Sequence, residues 1–130
     1  MPTDEERHAR GLAAFAAVYG DIVPAAPSGG SEAFDLLVID QQFAEVWTRP
    51  GLPIAARRLL VVGVLASVGN WTSLELVLLS AMEAGELDAD AVREAAIHLI
   101  SYLGTTKAGD ILRVSENAIE RHHSDPARTS

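Results

Sequence analysis

The stretch Phe43-Ala44-Glu45-Val46-Trp47-Thr48-Arg49-Pro50-Gly51-Leu52-Pro53, with the apolar run behind it, constrains this chain more than any other feature. An amphipathic segment ends at Trp47, and Pro50-Gly51 makes a turn. Pro53 stands where a helix begins, because its fixed φ suits the first helical position and its missing N–H is not needed there. From Leu59 to Val68 the residues are almost wholly apolar, so the helix that follows needs cover nearly all round. Arg57 and Arg58 lie in its opening turns, where the helix dipole disfavours a cation by roughly 0.3–1 kcal/mol each. A negative group offsets them, either a carboxylate of the protein or an anionic ligand.

The remaining segments read as helices too. Glu5 to Tyr19 carries Leu12, Phe15, Ala16 and Tyr19 on one face and stops at Gly20. Ile22 to Gly30 is rich in Pro, Ala, Ser and Gly and reads as a loop. Ser31 caps a second helix, Glu32 to Val46, in which Phe34, Leu37, Val38, Gln41 and Glu45 follow helical spacing. Gly69-Asn70 ends the apolar third helix. Thr72 or Ser73 caps a fourth, which runs to Ala84 before Gly85 and is apolar on more than one side from Leu74 to Met82. Asp88 starts a fifth, Ala89 to Leu103, closed by Gly104, and a sixth runs from Lys107 to about Arg121. The tail from His122 to Ser130 reads as frayed. No period-two alternation marks a strand. The expected architecture is all-α, a bundle of about six helices in one domain of 130 residues. One core of this size does not easily hide two such apolar helices, which predicts a homo-oligomer.

Composition narrows the function. The chain has no cysteine, which excludes disulfides, thiolate metal sites and cysteine nucleophiles. A net charge of −8 argues against nucleic-acid binding, which needs a basic footprint. It leaves room for a local arginine site for an anionic or oxygen-rich small molecule. No apolar run approaches bilayer length and the acidic opening does not read as a signal peptide, so the expected location is cytoplasmic. The scattered histidines have no ligand spacing, so no metal site is expected.

The chain resembles the carboxymuconolactone decarboxylase family, of the alkylhydroperoxidase D-like all-α superfamily. The resemblance rests on Glu45-Val46-Trp47-Thr48-Arg49-Pro50-Gly51-Leu52 followed by Arg57, on Ala81-Met82-Glu83-Ala84-Gly85 leading to Val92-Arg93-Glu94, and on Tyr102-Leu103-Gly104. Arg10-Gly11-Leu12 and Val18-Tyr19-Gly20 are similar to the family's opening. The resemblance implies trimeric or hexameric rings and a cofactor-independent lyase that decarboxylates a carboxylated lactone in aromatic-compound catabolism. The departures are specific. The histidine that family decarboxylases carry eight positions before Gly85 is Val77 here, and Thr105-Thr106-Lys107 replaces the usual proline and small residues. The peroxidase branch's glutamate, cysteine, cysteine and histidine fall on Arg58, Asn70, Ser73 and Val77, which excludes peroxidase chemistry.

Candidate residues follow, each with a bland alternative. Arg57 and Arg49 offer bidentate forks for a substrate carboxylate, or they make structural ion pairs with Glu45, Glu75 or a neighbouring subunit. Arg58 reaches the pocket or faces solvent. His98 lies on one stripe with Glu94 and Tyr102. Held by Glu94, it becomes a proton-transfer group that substitutes for the missing histidine; otherwise it is a surface residue. His8, His122 and His123 read as solvated. Trp47 and Trp71 either wall an apolar pocket or belong to core or interface. Glu45 is a general base if burial raises its pKa, or else the partner of an arginine. The leading expectation is a decarboxylase in which Arg57 orients the substrate and His98, Tyr102 or Glu45 delivers the proton. The alternatives are a non-catalytic ligand-binding or assembly member of the same fold, and a diverged enzyme acting on a polyketide-like molecule.

Overall fold

The computed structural model describes residues 3–23 and 31–125. Among them it is all-helical, with no strand. The elements are α1 (Asp4–Tyr19), α2 (Glu32–Phe34) continuing as a π-helix (Asp35–Val46), α3 (Ile54–Val68), α4 (Trp71–Glu83), α5 (Ala89–Leu103), a 3₁₀ turn (Thr105–Lys107) and α6 (Ala108–Ser124). The chain divides into two compact units, residues 1–57 and 58–130, and the division falls within α3.

In the first unit α1 packs on the π-helix. Thr3 and Glu6 form a reciprocal capping box that starts α1: the Glu6 N–H donates to Thr3 Oγ1 at 3.1 Å and the Thr3 N–H donates to Glu6 Oε2 at 3.4 Å. Ser31 caps α2 as expected, accepting from the Phe34 N–H at 3.0 Å. Beyond Phe34 the winding departs from expectation. The segment closes i→i−5 bonds, ending with the Trp47 N–H on the Gln42 carbonyl at 3.0 Å. Its buried residues are Ile39, Phe43 and Ala44, followed by Trp47. These recur at four and five residues, so the α-period stripe through Leu37, Gln41 and Glu45 faces outward instead. The buried face of α1 is likewise Gly11, Phe15 and Val18 rather than Leu12, Ala16 and Tyr19. The reason is Gly11. A β-carbon there would collide with the Ile39 carbonyl and stand 2.8 Å from Ile39 Cγ2, so the two backbones touch along that line. Phe15 packs at 4.9 Å on Phe43, which stacks on Trp47 at 5.4 Å with the rings parallel to within 1°.

In the second unit α4 and α5 pack against α6. The expectation that α4 is apolar on several sides is met: Leu74 and every residue from Val77 to Met82 are buried. Its cap is Asn70 rather than Thr72 or Ser73, through Oδ1 accepting from the Ser73 N–H at 3.3 Å. The bounds of α5 are as the sequence predicts, from the Asp88 cap on the Ala91 N–H at 2.8 Å to Gly104. His122 and His123 belong to the last turn of α6 instead of a frayed tail; the Arg121 cation in that turn complements the helix dipole. Residues 126–130 of that tail and residues 24–30 of the first loop lie outside the described residues. Within this single chain α3 is not covered all round. Arg58, Val62 and Ala66 are buried, whereas Leu59, Leu60, Val64 and Val68 are exposed.

Gly11→Ala should destabilise the chain. Helix propensity favours the alanine by roughly 1 kcal/mol, but forced overpacking costs about 1–3 kcal/mol, and here the obstacle is backbone rather than a yielding side chain. A net loss of about 1–2 kcal/mol in urea unfolding is expected.

Candidate functional site

Of the two arginines that open α3, Arg58 and not Arg57 is the buried one, at 1% exposure. Its Nε and Nη2 donate to the two oxygens of Glu86 at 2.6 and 3.1 Å, and its Nη1 donates to Ser80 Oγ at 2.9 Å. Ser80 in turn donates to the Val77 carbonyl at 2.8 Å. The glycine that ends α4, Gly85, has φ +73°, a left-handed turn that an L side chain resists, and Glu86 follows it directly. Arg58 therefore has its counter-charge from the protein. Val77, at the position of the missing histidine, is buried.

Arg57 is a turn clamp. Its Nε donates to the Leu52 carbonyl and its Nη2 to the Arg49 carbonyl, each at 3.1 Å. These bonds hold the Pro50-Gly51 turn shut. Arg49 supplies its carbonyl and is itself exposed. Glu45 and Glu75 pair with other arginines: Glu45 Oε1 accepts from Arg10 and Glu75 Oε2 from Arg121 at 2.8 Å. Trp47 is core, stacked on Phe43. Trp71 opens α4, half-buried, with its ring 3.6 Å from where a Gly69 β-carbon would stand. On α5 the structure brings His98 and Tyr102 together, with ring centroids 5.2 Å apart, but both are exposed and Tyr102 is 80% so. No bond joins His98 to Glu94.

Glu45 is the sequence candidate that lines a hollow. A groove of about 550 Å³ in the first unit is bounded by Arg7 and by Leu36, Leu37, Asp40, Gln41 and Glu45 of the π-helix. Glu45 Oε1 accepts from Arg10 Nη2 at 2.7 Å, and Arg10 is fixed by donating its Nε to the Ala44 carbonyl at 3.0 Å. Arg7 Nε lies 3.1 Å from the same Glu45 oxygen but makes no hydrogen bond to it, and it is buried. His8, expected to be solvated, is half-buried with its Nδ1 2.6 Å from Asp40 Oδ1. Sequence reasoning missed Arg7, His8, Arg10 and Asp40. The signal was there, as cations on α1 facing acids on the following helix, but reading it needs the pairing of the two helices. Among the described residues no group of three potential ligands is placed to hold a metal ion, and no helix is long and apolar enough to cross a membrane.

No family model matches the chain, and no solved structure matches it. Two curated proteins are similar. Over 83 residues the chain is 30% identical to the nitrosuccinic acid decarboxylase of Metarhizium robertsii, covering 64% of this chain and 57% of that protein. Over 78 residues it is 28% identical to the 4-carboxymuconolactone decarboxylase of Acinetobacter baylyi, covering 60% of this chain and 58% of that protein. The chain thus spans less than three-fifths of the length of either relative. The similarity is distant, and it links the chain to decarboxylases.

Two outcomes follow from these ion pairs. Arg58→Ala strands Glu86 beside a buried serine and should cost about 3 kcal/mol or more; Arg58→Met combined with Glu86→Leu should recover most of that loss in the same denaturation series. In the second unit, Arg93 Nε and Nη2 donate to Glu116 at 2.8 and 3.1 Å. This hydrogen bonding holds the Glu116 carboxyl below its ordinary range, against an upward push from desolvation and with the guanidinium charge adding to the downward pull. A depressed folded-state pKa gives stability that is present above the ordinary glutamate range and is lost as pH falls through the folded value. Glu116→Gln should flatten that acid limb. The pair is exposed, so the change is small and fades in high salt.

Proposed function

We propose that the chain is a decarboxylase-like lyase acting on a carboxylated small molecule, a lactone acid or a related cyclic metabolite, as a homo-oligomer and without an organic cofactor. The observation that carries this reading is that the two similar proteins are named for different acids and for the same reaction. What this chain has in common with both is then the loss of carbon dioxide rather than one carbon skeleton. In that reaction the carboxylate C–C bond breaks and carbon dioxide departs. The electron pair stays on the adjacent carbon, where a neighbouring acceptor group of the substrate takes it up, and a protein acid then delivers a proton to that carbon. The enzyme's tasks are to orient the carboxylate and to place the acid.

The His98–Tyr102 pair on α5 is one proposed source of that proton; Glu45, at the groove, is the other once it has first accepted a proton, since in its ion pair with Arg10 it has none to give. The exposed stripe Leu60, Val64 and Val68 on α3 supports the oligomer, since monomers rarely leave such a row of large apolar side chains wet. The second reading, a ligand-binding or assembly member, draws on Arg57, whose guanidinium is taken up by the turn carbonyls.

The test uses the full chain with carboxyl-¹³C-labelled 4-carboxymuconolactone and nitrosuccinic acid, and follows labelled carbon dioxide. Release above the protein-free rate is expected with at least one substrate. The variant that removes the proton carrier, Glu45→Gln or His98→Gln, should lower kcat by about 10²–10⁴-fold with an unchanged circular dichroism spectrum. A folded chain that releases nothing from either acid would be a binding or assembly protein.

A further inference from the structure

We infer that the groove on the π-helix is the seat of a small carboxylate with a short apolar body, anchored by Arg7. This deepens the decarboxylase-like reading and rests on it for the identity of the ligand as a carboxylic acid.

The hollow has the size of a small-molecule site, about 550 Å³ against the usual range of roughly 300–1,000 Å³. One wall is apolar and wet: Leu36 is 60% exposed and Leu37 55%. The polar groups are few and face the same space. Their charges decide the ligand. Asp40 is already engaged by the His8 ring, Nδ1 to Oδ1 at 2.6 Å. Glu45 is matched by Arg10 at 2.7 Å, and Arg10 is locked by the Ala44 carbonyl. Arg7 is left over. Its Nε is buried without a hydrogen bond, a state that native structures rarely tolerate unless something else satisfies the donor. Its other ion-pair partner, Asp4, stands 3.6 Å away and is 99% exposed, and such a surface pair holds little energy. An incoming carboxylate can compete for the Arg7 guanidinium without orphaning Glu45, which keeps Arg10. The Gln41 amide borders the same hollow and adds a neutral donor. A cationic ligand would have to compete with Arg7 for Glu45 or with His8 for Asp40.

The winding builds this face. Leu36 and Glu45 are nine residues apart, so at about 100° per residue an α-helix would put them on opposite sides. With i→i−5 closure, residues four and five apart fall into line, and Leu36, Asp40, Gln41 and Glu45 border one hollow. Departures from α-winding of this kind are frequent at functional sites.

The experiment titrates the ¹⁵N-labelled full chain with hexanoate and, separately, with hexylammonium. Saturable hexanoate shifts are expected at Arg7, Leu36, Leu37 and Gln41. Binding should weaken at least tenfold in Arg7→Gln and less in Arg7→Lys, which keeps the charge and loses the fork. Leu37→Asn should weaken it too, and hexylammonium should not saturate. Absent binding, shifts that map elsewhere, or an affinity unchanged in Arg7→Gln with its melting temperature retained, overturns the inference. The labelled-carbon-dioxide assay on the same proteins separates the two readings. Arg7-dependent hexanoate binding without turnover of either acid upholds the groove and rejects the decarboxylase. Turnover undiminished in Arg7→Gln does the reverse.

Discussion

The contact of Gly11 with the backbone at Ile39 sets the first unit. Only a residue without a β-carbon lets α1 lie so close to its neighbour, and once it does, the register along both helices is fixed. Phe15 then meets Phe43. Arg7 and Arg10 reach Glu45, and His8 reaches Asp40. The charge pairs flank the close approach and do not cause it, since half-exposed pairs are worth at most about 1 kcal/mol each, whereas the aromatic cluster buries area that water would otherwise wet. The groove is a consequence of both. Its wall is the π-wound face turned away from Ile39, Phe43 and Ala44.

The second unit is organised by the opposite kind of device, a cation placed within the apolar part of the protein. An unpaired guanidinium at 1% exposure would be prohibitive. Glu86 and Ser80 accept from each of its three nitrogens. Such a pair adds little net stability over a well-packed apolar alternative. Its effect is on specificity, because α3 and the turn after α4 fit only where the fork meets the carboxylate. The left-handed turn at Gly85 is part of that fit. The same charge that makes the position of Arg58 costly in isolation thus ties two distant stretches of the chain.

Much of this was legible in the sequence where the cause is local. α5 runs from the Asp88 cap to Gly104 as read, because a side-chain cap and a helix-stopping glycine act on their own neighbours. Ser31 and Gly85 were legible for the same reason. The site was far less so. Arg57 and Arg58 are adjacent, and on a helix they point about 100° apart. Nothing in their own composition says which turns inward. His98 and Tyr102 share the stripe that spacing assigned them, but spacing says nothing of burial.

The sequence by itself determined that the described residues are helical, where most of those helices begin and end, and that cysteine chemistry has no place in the chain. These follow from backbone capping, turn residues and composition, all of which operate over a few residues. The tertiary structure alone decided the π-winding of Asp35–Val46, the inward turn of Arg58 and the meeting of Arg7, His8 and Arg10 with Asp40 and Glu45. Each of those depends on what a neighbouring helix presents across a contact, and a one-residue shift in that contact would have paired different side chains.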